Sequence, residues 1–85
     1  MSPRRKDVQL TRPAVKDLAA IPPVYREAID EALTALAHDA HAGIPLKGPR
    51  QGQWKYRIGP YRVTYQFDEY TVHVLSIQHR KDVYR

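Results

Sequence analysis

Three cations alternate with aromatic and aliphatic side chains across two neighbouring segments. In residues 53–58, Trp54, Tyr56 and Ile58 alternate with Lys55 and Arg57, and in residues 61–67, Tyr61, Val63, Tyr65 and Phe67 alternate with Arg62, Thr64 and Gln66. A period of two marks strands whose apolar residues face a core and whose polar residues face away. Gly59-Pro60 makes a tight turn between them. Paired strands lie about 5 Å apart, so Lys55, Arg57 and Arg62 can share one patch. Such a patch repels itself unless an anion occupies it, and phosphate fits because arginine offers a fork of donors matched to its oxygens. A plain solvated basic face is the alternative, but it would mix signs, and neither segment contains an acid.

The tail beyond the next strand-like run adds His79, Arg80, Lys81 and Tyr84. A tyrosine beside cations can stack on an unpaired base, as single-stranded RNA is commonly held, or can fold back to anchor the terminus. His79 adds an imidazole, able either to move protons or to serve as an ordinary hydrogen-bonded surface residue. Lys47 and Arg50 lie in the glycine- and proline-rich loop before residue 53 and extend the positive field as candidate RNA contacts.

Charge is unevenly placed. The chain has 85 residues and a formal charge of +5, with 14 Lys and Arg against 9 Asp and Glu. Residues 1–43 are neutral, so the excess falls in residues 44–85, and no acid occurs between Asp39 and Asp68. A one-sign field on part of a small protein attracts polyanions. The length suits a single domain over residues 1–85. With no cysteine, disulfide scaffolds, thiolate zinc sites and cysteine nucleophiles are excluded. No apolar run approaches the roughly 20 residues that span a bilayer, and no apolar stretch follows the basic first residues, so no membrane partner and a cytoplasmic location are expected.

No glycine-rich phosphate loop, serine elbow or spaced acid cluster is visible, so neither cofactor nor metal is expected. His38 and His41 are i, i+3 neighbours without further ligands nearby. Phosphodiester cleavage without metal suits RNA, whose own 2′-OH can attack the adjacent phosphate. Such catalysis needs in-line positioning, cations for the growing phosphoryl charge and help for the 5′ leaving oxygen.

The elements that would position these groups read as β-α-α-β-β-β. Residues 6–11 form a short strand with Val8 and Leu10 on one face. Thr11 caps a first helix with Pro13 in its first turn, and Pro22-Pro23 ends that helix near Ile21. A second helix runs from Pro23 to about His41 on a stripe of Tyr25, Ile29, Ala32, Leu33 and Leu36. Asp68-Glu69 turns the chain into residues 71–77, apolar at nearly every position and expected to be covered on both faces. The fold class is α+β, a helical hairpin on one face of a small, mostly antiparallel four-stranded sheet.

The ordered string PLKGPRQGQWKYRIGPYRVTYQFDEYTVHVLSIQHRKDVY, residues 45–84, resembles the second half of RelE-type toxins of the RelE/ParE superfamily. The shared pattern is LKG, a loop, an aromatic-Lys-x-Arg strand, G-x-YR-hydrophobic-x-Y, a strand and HR-x-x-VY. The resemblance implies a toxin of a type II toxin–antitoxin pair, neutralised by a cognate antitoxin through an acidic or amphipathic segment over the basic face. It implies entry into the ribosomal A site and cleavage of the bound mRNA to a 2′,3′-cyclic phosphate and a 5′-OH. By position it assigns Lys55 and Arg57 to the scissile phosphate, with Lys55 also a proton acceptor for the 2′-OH. It assigns Arg62 to the same charge, Arg80 to the leaving oxygen and Tyr84 to base stacking. Arginine holds its proton too tightly to be an ordinary acid, which makes His79 the candidate acid. Some relatives carry two lysines where this strand has Lys-x-Arg, and some continue into a further helix after the position of Tyr84. A ParE-type gyrase poison on the same scaffold and a non-catalytic RNA- or antitoxin-binding module are the alternative readings.

Overall fold

The computed structural model describes residues 5–83. The chain runs β1 (Asp7–Leu10), α1 (Arg12–Ala20), α2 (Pro23–His38), β2 (Ile44–Pro45), β3 (Trp54–Ile58), β4 (Tyr61–Phe67), β5 (Thr71–His79) and α3 (Arg80–Val83), with short 3-10 turns at Ala40–Ala42 and Gly48–Arg50. The sheet order is β1-β5-β4-β3-β2. β1 runs parallel to β5 and every other pairing is antiparallel. The α+β class and the helical hairpin are as expected, but there are five strands rather than four. Ile44 and Pro45 pair with Lys55 and Trp54 as a two-residue edge strand, too short to show a period.

Local chemistry sets the helix limits. The Thr11 hydroxyl accepts from the Ala14 N–H at 3.3 Å and caps α1. Pro22 and Pro23 separate α1 from α2. α2 stops at His38 rather than His41, because Asp39 leaves helical geometry and its carboxylate accepts from the His41 N–H at 3.1 Å. Ile29, Leu33 and Leu36 of α2 pack on Val63, Tyr65, Val72, Val74 and Ile77 of the sheet, with Trp54, Tyr56 and Ile58 along the margin of that core. Tyr65 anchors the α2 terminus: its hydroxyl donates to Ala40 O at 2.7 Å and accepts from the Gly43 N–H at 3.1 Å. Glycine is required at position 43, where a Cβ would overlap the Tyr65 hydroxyl and the Lys55 carbonyl.

β5 differs from its expected form. It is covered on one face only, with Val72, Val74 and Ile77 buried. Thr64 pairs with Ser76 and Tyr65 with Val74, which leaves Leu75 as an extra residue. This bulge shifts the alternation by one position, so a one-sided strand looks continuously apolar in sequence. Where β1 ends, α1 satisfies the edge of β5. The Thr11 hydroxyl donates to Leu75 O at 2.9 Å, and the Asp17 carboxylate accepts from the Ile77 N–H at 2.9 Å.

Candidate functional site

The β3–β4 hairpin turns through Gly59 at φ +54° followed by Pro60, the pattern of a II′ turn that suits a two-residue hairpin. That fixes the register: Trp54 opposite Tyr65, Lys55 opposite Thr64, Tyr56 opposite Val63, Arg57 opposite Arg62. The aromatic and aliphatic members face the helices, and Lys55, Arg57 and Arg62 stand on the other face. β5 adds Gln78 beside Arg62 and Ser76 beside Thr64 on that outward face.

The electrostatics of this patch are one-sided. Among the described residues the single ion pair within 4 Å joins His73 and Asp68, far along the β4–β5 hairpin. Two backbone N–H groups, from Tyr70 and Thr71, hold the Asp68 carboxyl below its ordinary pKa, and His73 adds to this. Among the described residues no carboxylate lies within 4 Å of Lys55, Arg57, Arg62 or Arg80. The Arg62 Nε is buried and has no hydrogen-bond partner among the described residues. A buried cationic donor left unsatisfied is costly, and an incoming anion would remove that cost.

The remaining candidates divide. Arg80 opens α3, and its backbone N–H donates to Pro60 O at 2.7 Å, which brings it to the turn that separates Arg57 from Arg62. Lys47 and Arg50 are exposed on the loop leading into β3, outside the strand ladder. Lys81 is exposed on α3. Tyr84 lies outside the described residues. His79 corrects the expectation that it stands with the cations. It pairs with Tyr61, and its ring meets the Tyr61 ring edge-on at 5.2 Å. Tyr61 belongs to the core, so His79 faces the helices, where it shares a depression with Asp17, Ala20 and Ile21. The bulge at Leu75 puts it there by exchanging the faces of every later β5 residue.

Gln78 and Ser76 enter the patch unannounced, since the bulge had to be known to place them. Asp17 was also missed. Its signal is an acid three residues after Ala14 and four before Ile21, on the buried stripe of α1.

A family model described as the ParE toxin of type II toxin-antitoxin system, parDE, matches residues 8–84. Toxin RelG of Mycobacterium tuberculosis is 35% identical over 82 residues, which span 92% of this chain and 94% of RelG. The toxin–antitoxin complex RelBE2 from the same organism includes a chain that matches with a TM-score of 0.83 at 31% identity, covering 89% of this chain and 99% of that one. A chain of the chromosomal ParDE system from P. aeruginosa matches at 0.70 and 19% identity, covering 89% and 97%, which shows the fold alone.

Proposed function

The chain is a toxin of the RelE/ParE superfamily of type II toxin–antitoxin systems, and on that footing we propose that it is a ribosome-dependent mRNA endoribonuclease. One observation carries the reading: Arg57 and Arg62 face each other across the strands, and among the described residues no carboxylate pairs with either and Arg62 Nε is buried and unpartnered. A site with those properties is prepared for a phosphate.

In the proposed reaction the 2′-oxygen of one nucleotide attacks the adjacent phosphorus. A bond from O2′ to phosphorus forms as the bond to O5′ breaks, leaving a 2′,3′-cyclic phosphate and a 5′-oxyanion that takes a proton from solvent water to become the 5′-OH. Lys55 accepts the 2′-OH proton, while Arg57 and Arg62 hold the phosphoryl oxygens as charge grows on them. Preorganised donors of this kind are each worth about 10²–10³ in rate. Arg80 stabilises the leaving oxygen by charge, and Tyr84 stacks on a base. With little strong acid–base help available, the ribosome supplies the in-line geometry. A cognate antitoxin neutralises the toxin by laying an acidic or amphipathic segment over the basic face, a reading supported by the RelBE2 relative, which is a toxin–antitoxin complex.

Primer extension on a translated message after induction tests this. Cuts in phase with codons, absent with Arg62→Ala, are expected. The ParE label of the matching family model favours a second reading, a gyrase poison. Growth arrest with intact message, and DNA breaks trapped on gyrase, would establish that reading instead.

A further inference from the structure

Having left the cation face, His79 occupies a position with its own chemistry. Its Nδ1 accepts from the Lys81 N–H at 3.1 Å. His79 directly precedes α3, so this is an N-cap bond to the second residue of the helix, the same bond that Asn, Asp or Ser makes at such a position. The ring is held edge-on by Tyr61, which Tyr25 of α2 holds edge-on in turn at 5.3 Å. The preceding amide, that of Arg80, donates to Pro60 O. Two consecutive N–H groups at the start of α3 are therefore fixed, one by an imidazole and one by the hairpin turn. Between them they set where Arg80 leaves the backbone.

We propose that His79 is a positioning residue: its unprotonated Nδ1 caps α3 and thereby holds Arg80 at the turn between Arg57 and Arg62. The inference rests on the nuclease reading for its consequence in catalysis, but its geometry is independent of that reading. A capping imidazole must keep Nδ1 free of a proton, so the ring carries its hydrogen on Nε2, on the helix-facing side of the sheet. Proton donation to a substrate on the opposite face is not its task.

Asparagine separates the two roles, because it caps well and transfers no proton, whereas alanine does neither. Both replacements lose the ring contact with Tyr61, so the difference between them isolates the cap. Cleavage of a ribosome-bound message should fall no more than about threefold in His79→Asn and about tenfold or more in His79→Ala. Exchange of the Lys81 amide should be slow in the wild type and His79→Asn and fast in His79→Ala. Nitrogen-15 spectra of the wild-type ring should show an unprotonated Nδ1. If His79→Asn is as inactive as His79→Ala while its Lys81 amide stays protected, the ring itself is needed and the proposal falls. If the wild type cleaves no message, the nuclease reading fails. The cap is then decided by exchange alone and is overturned if the Lys81 amide is equally fast in wild type and His79→Ala.

Discussion

Arg57 and Arg62 are direct cross-strand partners, two guanidinium side chains on neighbouring positions of one sheet face, and among the described residues no carboxylate lies within 4 Å of either. Like charges placed so are destabilising by about 0.2–1 kcal/mol. Replacing either by alanine should therefore leave the fold intact or slightly more stable, while cleavage falls about 10²–10³-fold. Thermal melting beside cleavage assays of Arg57→Ala and Arg62→Ala checks this. Full toxicity with a wild-type melting curve would remove the pair from the reaction.

The same opposition makes folding responsive to anions. Inorganic phosphate should raise the melting temperature of the wild type, by about 2.7 kcal/mol of added stability at a hundred times the dissociation constant. Arg62→Ala should lose most of that gain. Equal stabilisation of both proteins by phosphate would show a general salt effect.

Trp54 is expected to behave in the opposite way. It packs at 5.3 Å from Phe67 and 5.5 Å from His41 at the margin of the core, on the helix-facing side. Being half-buried, it should cost about 3 kcal/mol on truncation to alanine, a large share of the total for a small domain. Loss of toxicity in Trp54→Ala should come with a lowered melting temperature, which distinguishes it from the arginine variants.

Tyr65 gives an alkaline signature. Burial pushes its hydroxyl above the ordinary pKa of 10.0, and the Asp39 charge adds to this, against a smaller opposing effect of the Gly43 N–H. The folded state thus holds this proton more tightly than the unfolded chain. Its contribution is complete below pH 10 and is lost as pH rises through the folded value. Tyr65→Phe also strands Ala40 O and the Gly43 N–H and should cost about 1–3 kcal/mol at neutral pH. Denaturant melts across pH should show the gap between wild type and variant narrowing above pH 10.

Association with the antitoxin should weaken with salt if the basic face is its seat, since exposed charges are screened over about 8 Å at physiological ionic strength. Titration calorimetry at low and high salt tests this, and an unchanged affinity would point to apolar surfaces instead.

Much of this was legible in the chain. Thr11, Pro22-Pro23 and Gly59-Pro60 mark their boundaries by local stereochemistry, which tertiary contacts did not override. The alternation of residues 54–58 and 61–67 was regular, so the cation face could be placed by parity. Ile44 and Pro45 were hidden because two residues carry no period. His79 was misplaced for a subtler reason. The apolar run ends at Ile77, which leaves His79 to the tail, whereas β5 continues to His79 and the extra Leu75, visible only through strand pairing, turns it inward.

The position of β5 has a consequence for synthesis of the protein. Among the described residues it is made after the other four strands, yet it lies between β1 and β4 and is the sole strand partner of β1. α1 is likewise tied to β5 through Thr11 and Asp17. A nascent chain that has not yet extruded residue 77 lacks the strand that joins β1 and α1 to the hairpin, and pieces of that size are marginal alone. The cationic face reaches its full form only once β5 has paired with β4, so a chain still short of residue 78 carries that face incomplete.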